Sequence, residues 1–284
     1  MSDRKIKKKV AVIMSVYKQE EARFFDLSLN SILKSQTYQN FDVHLAIDGH
    51  ISHDLNEVIK RYTENYNNLF LYPSEIQLGL SENLNNIIKN LDEDISYMAR
   101  MDSDDIAFPE RLEEQVSFLE ENEEVDIVGS SIIEIGDDGM EKKLLSNPET
   151  HKEIINYFGF RNPISHPTVM FRSSFFQKAG LYPVTHRDWY PVALPVEDTL
   201  FWIEGIKKDC IFANIKAPLL YFRASTKLIQ RRGGLKMSIL ECSIRIKAIN
   251  TIGLSKFYYF FAFLNLFARL LPVNIKKVLW KIRS

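Results

Sequence analysis

The chain has 284 residues, of which 45% are apolar and 26% are charged, and its formal net charge is −1. This length holds one large α/β domain or two smaller ones, and the composition excludes an intrinsically disordered chain. A nucleic-acid-binding protein is usually basic, so the charge gives that class no support. The two cysteines, Cys210 and Cys242, have no metal-binding spacing, and the first apolar run, Val10–Val16, is too short for a secretory signal. We therefore expect a reduced, cytoplasmic protein.

The first hundred residues alternate between strand-like and helix-like segments. Apolar runs rich in β-branched or aromatic residues predict strands at residues 10–16, 41–47 and 69–72, and a fourth strand that ends at Asp102. Helix-length segments separate these strands, and the third of them begins at Gly79. This alternation predicts a mostly parallel, doubly wound sheet.

Polar groups follow three of the predicted strands. Ser15 to Tyr17 end the first strand, Asp48 follows the second, and Asp102 to Asp105 follow the fourth. Ligands of such sheets bind beyond the carboxyl ends of the strands, so these groups favour a nucleotide and metal site. Oxygen ligands suit the hard cations Mg²⁺ and Mn²⁺. The alternative is a solvated acidic turn in which Asp104 or Asp105 caps the next helix.

These segments together resemble the large family 2 of glycosyltransferases, which have the nucleotide-binding GT-A fold. The resemblance covers roughly residues 8–225 and implies a GT-A-type, Rossmann-like, doubly wound mixed sheet, to which this chain adds a C-terminal helical extension. One departure is Asp48-Gly49-His50, where the family more often has a second acidic residue and then a small hydroxyl residue. The matching blocks occur in the family's order: Val12-Ile13-Met14-Ser15-Val16-Tyr17, Asp48-Gly49, Gly79-Leu80-Ser81-Glu82-Asn83-Leu84-Asn85 and Arg100-Met101-Asp102-Ser103-Asp104-Asp105.

The resemblance implies a role for each group at the strand ends. Asp48 would accept hydrogen bonds from the uracil or ribose, although a turn residue beside Gly49 is an equal alternative. Asp102 would contact the ribose or the metal, and Asp104 would bind the metal that bridges the two phosphates of a sugar nucleotide. The other residues assigned to the nucleotide are Ser15, Val16, Tyr17 and Arg100. In the third helix, Ser81, Asn83 and Asn85 are expected to cap or decorate the helix rather than to act in catalysis.

The segment Asn162-Pro163-Ile164-Ser165-His166-Pro167 precedes a predicted strand at residues 168–171. Similar Asn-Pro-x-x-His-Pro segments occur in bacterial O-antigen and exopolysaccharide transferases of this family. His166 is therefore a candidate for contact with the donor or the acceptor. A surface histidine held between two prolines is the alternative.

Glu197-Asp198 matches the acidic pair that the family carries before an apolar helix. An inverting transfer needs a base that deprotonates the acceptor hydroxyl, and a partly buried carboxylate near other negative charges suits that task. We expect Asp198 to be the base and Glu197 to orient it or to bind the acceptor. Trp202, in the same helix, is a further candidate for substrate contact. Alternatively, the pair only complements the helix dipole.

A basic loop follows another predicted strand at residues 211–223. In it, Arg231 and Arg232 precede two glycines and are candidates to pair with the donor phosphates, although a solvated loop is the alternative. The longer, processive members of the family carry Gln-x-x-Arg-Trp here, and this chain does not. Together with the absence of a transmembrane channel, that difference favours the addition of one sugar per encounter.

The tail contains an aromatic run, residues 257–268, between Lys256 and Arg269. Twelve residues cannot span a bilayer, which takes about 20 in a helix. Aromatic residues flanked by basic ones favour a helix in the membrane interface, and a terminal helix packed on the catalytic domain is the alternative.

The sequence therefore predicts a nucleotide-sugar-binding and catalytic domain at residues 1–225 and a basic loop with an amphipathic tail at residues 226–284. The expected protein is an inverting glycosyltransferase, dependent on Mn²⁺ or Mg²⁺, that moves one hexose-type sugar from a UDP donor to a lipid-linked saccharide at the cytoplasmic membrane face. No nucleic-acid partner is expected. The alternatives are a sugar nucleotidyltransferase, whose glycine-rich phosphate loop is missing after the first strand, and a non-catalytic membrane-associated assembly protein.

Overall fold

The computed structural model describes residues 8–184, 196–225 and 235–270. The strands in these residues are β1 (Lys9–Tyr17), β2 (Phe41–Asp48), β3 (Leu69–Pro73), β4 (Ile95–Arg100), β5 (Ile106–Ala107), β6 (Ile127–Ile135), β7 (Glu141–Leu145), β8 (Met170–Arg172) and β9 (Phe212–Arg223). The α-helices in them are α1 (Ala22–Leu33), α2 (His53–Asn65), α3 (Leu80–Lys89), α4 (Arg111–Glu121), α5 (His151–Tyr157), α6 (Ser173–Ala179), α7 (Glu197–Lys207), α8 (Leu235–Ile252) and α9 (Tyr258–Leu270).

All the strands belong to one mixed sheet in the order β3-β2-β1-β4-β8-β6-β9-β5, and β7 pairs with β6. The first four neighbours are parallel, as the sequence predicts. Beyond β4 the sheet turns antiparallel at β8, and β6 then runs antiparallel to β8 and parallel to β9. Consequently β4, β6 and β9 point the same way, and their carboxyl ends lie on the same edge as those of β1 and β2.

The strand β1 lies in the middle of the parallel half because both of its faces are apolar. Val10, Val12 and Met14 enter one hydrophobic cluster, and Ala11 and Ile13 enter the cluster on the other face. All five side chains are completely buried. An unbroken apolar run is the pattern expected of a strand that is covered on both faces.

The turn after β6 and the start of β8 differ in how well the local sequence predicts them. Asp137-Asp138-Gly139 is a sequence typical of a tight hairpin turn, and it forms the turn between β6 and β7, where Gly139 has a φ of +79° that favours glycine. The predicted strand at residues 168–171 is wrong at its start. Residues His166–Thr168 form a 3-10 turn, with Pro167 in its first positions, and the strand begins only at Met170.

The C-terminal helices pack against the sheet domain. From α8, Leu240, Ile244 and Ala248 join the second hydrophobic cluster. One face of α9 packs on the preceding domain, because Phe160 makes edge-to-face contacts with Tyr258 and Phe261. A helix that could cross a membrane does not occur within the three described segments.

Candidate active site

The carboxyl ends of β1, β2 and β4 lie side by side. Tyr17 is opposite Asp48 in the pairing of β1 with β2, and Ile13 is opposite Arg100 in the pairing of β1 with β4. The strand-end groups that the sequence places at one sheet edge are therefore neighbours. Ser15 and Tyr17 are half-buried, whereas the Val16 side chain is buried in the core.

Asp48 anchors the start of helix α3. Its carboxylate accepts hydrogen bonds from the backbone N–H groups of Leu78, at 2.6 Å, and Gly79, at 3.2 Å. The side chain is only 5% exposed. These contacts differ from the alternative of a turn residue beside Gly49, because they hold the backbone that leads into α3, 30 residues along the chain. The contact between Asp48 and a nucleoside stays a prediction.

Three aspartates follow β4 in a compact cluster. One carboxylate oxygen from each of Asp102, Asp104 and Asp105 lies within 4.8 Å of the others. Asp102 and Asp104 are partly exposed, whereas Asp105 is completely buried. The cluster therefore presents two carboxylates toward solvent and holds the third inside the protein.

The electrostatics of this cluster fit a bound cation. Burial and the charge of Asp102 raise the pKa of Asp104 to about 6, and burial with the charge of Asp104 raises the pKa of Asp105 well above its usual value. One oxygen of Asp105 has no hydrogen-bond partner among the described residues. Clustered carboxylates whose mutual repulsion raises their pKa, and which offer only oxygen donor atoms, match the requirements of Mg²⁺ or Mn²⁺.

Arg100 is the buried cation beside the cluster. Its guanidinium forms an ion pair with Asp102, while Nε and Nη1 lack hydrogen-bond partners among the described residues. The guanidinium is 3% exposed. Two unsatisfied N–H groups next to the carboxylate cluster are suited to an anionic oxygen.

Glu197 and Asp198 form the first turn of α7. Asp198 accepts hydrogen bonds from Asn162 Nδ2, at 2.9 Å, and from the Thr199 N–H, at 2.6 Å. Glu197 accepts one from the Val196 N–H, at 2.9 Å. Burial, with the charge of Asp198 as the next cause, raises the pKa of Glu197 to about 7. A carboxyl group with this pKa can exchange protons near neutral pH.

Asn162 is a site residue that the sequence analysis missed. Its amide bridges Asp198 and the Thr199 hydroxyl, 3.1 Å away. Asn162 is the first residue of the Asn-Pro-x-x-His-Pro segment, so the segment itself could have indicated it. The sequence analysis considers only His166 of that segment for substrate contact.

The acidic cluster and the Glu197-Asp198 pair both act electrostatically on Tyr182. Burial raises the pKa of Tyr182 most, Arg100 lowers it, and Asp198, Glu197 and Asp102 each raise it further. The Arg100 charge also lowers the pKa of Glu197. Charged groups from both halves of the predicted site therefore act on the same tyrosine.

Tyr182 itself is fixed by Asn85, another residue that the sequence did not single out for the site. Asn85 Nδ2 donates to the Tyr182 carbonyl and Asn85 Oδ1 accepts from the Tyr182 N–H, both at 2.9 Å. Asn85 is thus more than the helix decoration that was expected of it.

The other two substrate candidates are core residues in this structure. His166 Nε2 lies 3.0 Å from the Tyr182 hydroxyl, and the ring packs edge-on against Trp202. His166 is 8% exposed and Trp202 is completely buried among Phe171, Phe201 and Phe212. This burial corrects the picture of a surface histidine and argues against direct substrate contact by Trp202. Arg231 and Arg232 lie outside the described residues.

Comparison with known proteins identifies the family. The sequence model of "Glycosyl transferase family 2" matches residues 11–179. The chain belongs to this family. The match begins in β1, ends at α6 and includes the strand ends that carry Asp48 and the aspartate cluster.

Bacterial members of the family align with nearly the whole chain. The amylovoran biosynthesis glycosyltransferase AmsE of Erwinia amylovora is 30% identical over 273 residues, which are 95% of this chain and 97% of that protein. A UDP-Gal:alpha-D-GlcNAc-diphosphoundecaprenol beta-1,3-galactosyltransferase of Escherichia coli is 27% identical, with coverage of 96% and 95%.

The fold is shared with a protein whose crystal structure contains a nucleotide sugar. The crystal structure of S. aureus TarS 1-349 in complex with UDP-GlcNAc superimposes with a TM-score of 0.66 at 16% identity, covering 94% of this chain and 77% of that one. The expected GT-A-type mixed sheet with C-terminal helices is thereby confirmed. The protein is a glycosyltransferase.

Proposed function

We propose that this glycosyltransferase is an inverting, metal-dependent enzyme of bacterial surface-polysaccharide assembly, which moves one hexose-type sugar from a UDP donor to a polyprenyl-diphosphate-linked saccharide. The observation that carries the proposal is the compact cluster of Asp102, Asp104 and Asp105 at the carboxyl end of β4, in a chain whose Glu197-Asp198 pair also acts electrostatically on Tyr182. The name of the E. coli relative, which includes UDP-Gal and a diphosphoundecaprenol-linked acceptor, supports the choice of substrates.

In this proposal the donor lies along the carboxyl ends of β1, β2 and β4. Asp48 and the segment from Ser15 to Tyr17 hold the uridine. Asp102 and Asp104 hold Mn²⁺ or Mg²⁺, which neutralises the negative charge of the departing diphosphate. Arg100 keeps Asp102 oriented through its ion pair and offers its unpaired N–H groups to anionic oxygens.

Asp198 is the base for the acceptor. The acceptor hydroxyl oxygen attacks the anomeric carbon and forms the new C–O bond as the bond from that carbon to the diphosphate oxygen breaks on the opposite side. Asp198 takes the hydroxyl proton, and its hydrogen bond from Asn162 fixes the direction of the carboxylate. Glu197 orients the acceptor or the base from the same turn of α7.

We further propose that residues 1–225 form the catalytic part, with the remainder from residue 226 docking the enzyme on the cytoplasmic face of the membrane. Support comes from the outer face of α9 and the residue before it. Five apolar side chains in this region are 46–65% exposed: Phe257, Phe260, Phe263, Leu264 and Phe267. A contiguous aromatic face with basic residues at both ends suits the lipid interface, where the lipid-linked acceptor resides.

The test is a screen of sugar nucleotides for thermal stabilisation and donor hydrolysis, with and without Mn²⁺. The wild-type chain should respond to a UDP-sugar only when Mn²⁺ is present, and Asp104→Asn should lose this response without unfolding. Asp94→Asn is the matched control. Asp94 lies between α3 and β4, its side chain is 63% exposed, and it is not a candidate ligand of the metal or the donor. Full transfer in excess EDTA, or by the Asp104 variant, would remove the metal from the mechanism.

A further inference from the structure

Arg223 is a buried arginine at the last position of β9, and neither the sequence motifs nor the proposed mechanism uses it. It is 2% exposed. Resting on the proposed function above, we propose that Arg223 is a positioning residue that holds the aspartate loop in the geometry in which Asp102 and Asp104 bind the divalent cation.

Three hydrogen bonds connect Arg223 to the loop and its surroundings. Its Nε donates to the backbone carbonyl of Asp104, at 3.0 Å, and its own N–H donates to Asp105 Oδ1, at 2.8 Å. Its Nη1 donates to the carbonyl of Gly136, at 2.9 Å, at the end of β6. The guanidinium also lies over the Phe24 ring of α1, 3.8 Å from the ring centroid. One residue therefore connects the aspartate loop to β6, β9 and α1.

Strand pairing explains why Arg223 occupies this place. The short strand β5 follows the aspartates at once and pairs antiparallel with β9, with Ile106 opposite Tyr221. Extending this register by two residues, back from Ile106 and on from Tyr221, brings Asp104 level with Arg223. At this position the Arg223 side chain donates to the Asp104 carbonyl, so the pairing of β5 with β9 places the arginine next to the aspartate loop.

The contacts separate the roles of the two neighbouring aspartates. Arg223 binds the carbonyl of Asp104 and leaves its carboxylate on the solvent side, whereas the Asp105 carboxylate is turned inward onto the backbone of Arg223. Three carboxylates in one cluster repel one another, so their geometry must be imposed by the surrounding protein. Outer partners that orient metal ligands typically change metal affinity by 10–100-fold when they are replaced.

The experiment compares Arg223→Lys with Arg172→Lys. Arg172 is a matched control because it ends β8, donates to the carbonyls of Val125 and Leu119, and contacts none of the three aspartates. Free Mn²⁺ is measured by electron paramagnetic resonance during titration of the full-length chain, with and without UDP, and the melting temperature of each variant is recorded.

Arg223→Lys is expected to raise the Kd for Mn²⁺ by about 10–100-fold. Arg172→Lys, even with an equal fall in melting temperature, should leave that Kd unchanged. If Arg223→Lys does not fold, Phe24→Leu removes the stacked ring but keeps the hydrogen bonds, and it should weaken Mn²⁺ binding in the same direction.

The positioning role is overturned if Arg223→Lys, or Phe24→Leu as its substitute, binds Mn²⁺ as tightly as the wild type. It is also overturned if Arg172→Lys loses as much Mn²⁺ affinity as Arg223→Lys. If Asp104→Asn still loses Mn²⁺ in that case, the proposed function stands and only the role of Arg223 fails. If the wild-type chain binds UDP normally but no Mn²⁺, both proposals fail together.

Discussion

Replacing Glu197 with glutamine is expected to make the protein more stable at pH 8, although this residue belongs to the candidate active site. Burial, together with the charge of Asp198, raises the pKa of Glu197 from 4.5 to about 7. A carboxyl group with a raised pKa holds its proton more tightly in the folded chain than in the unfolded chain. The folded state therefore loses stability as the pH rises from about 4.5 to 7.

The size of the effect follows from that difference. About 2.5 pKa units, at about 1.4 kcal/mol per unit, correspond to about 3 kcal/mol at pH 8. Glutamine is neutral at every pH, and its amide oxygen can still accept the hydrogen bond from the Val196 N–H. Glu197→Gln should therefore gain up to about 3 kcal/mol of unfolding free energy at pH 8 and almost nothing at pH 4.5.

Urea unfolding followed by circular dichroism, at several pH values between 4.5 and 8.5, measures this gain. Glu204→Gln is the matched control on the same helix, because the Glu204 side chain is 43% exposed and forms an ion pair with Lys207 on the surface. A surface substitution of this kind should change the unfolding free energy by less than about 0.5 kcal/mol. The reasoning is refuted if Glu197→Gln is no more stable than wild type at pH 8, or if its gain does not depend on pH.

Two further predictions concern catalysis and the tail. Asp198→Asn should bind UDP-sugar and Mn²⁺ as the wild type does, while its turnover falls by a factor of about 10²–10⁴. Steady-state kinetics measures the turnover, and calorimetry measures donor binding. Normal turnover in this variant would show that Asp198 is not the base. The triple variant Phe260→Ser, Phe263→Ser and Phe267→Ser should bind anionic phospholipid vesicles at least about a hundredfold more weakly in sedimentation, because each phenyl ring loses its burial in lipid. Leu27→Ser, a 48% exposed apolar residue on α1, is its control, and equal sedimentation of both variants would contradict lipid contact by α9.

The parallel half of the fold was predictable because its information is local. An apolar strand covered on both faces carries its pattern in consecutive residues, as β1 does, and its carboxyl end then indicates where polar side chains meet. The antiparallel insertion of β8 between β4 and β6 was not predictable. It depends on the pairing of Met98 with Phe171, which are distant in the chain and have ordinary strand residues around them.

The roles of individual site residues were also hard to predict from the sequence, because they depend on contacts between residues that are distant in the chain. Asp104 and Asp105 are adjacent and chemically identical, and they differ because Arg223, 118 residues after Asp105, turns one carboxylate inward. The position of Trp202 close to Glu197 and Asp198 in the sequence suggests contact with the substrate. Its ring instead fills the core beneath the site, which only the packing reveals.

The charge balance of the site links donor binding to the metal. The described residues around Tyr182 and the aspartate loop contain five carboxylates and three buried guanidinium groups, namely Asp102, Asp104, Asp105, Glu197 and Asp198 against Arg100, Arg111 and Arg223. Of these cations, Arg111 is committed to the carbonyl of Arg100, and Arg223 to those of Asp104 and Gly136. A diphosphate adds further negative charge to a site whose carboxylates already raise one another's pKa. A divalent cation held by Asp102 and Asp104 would reduce this repulsion, and for that reason we expect donor affinity, and not turnover alone, to depend on Mn²⁺ or Mg²⁺.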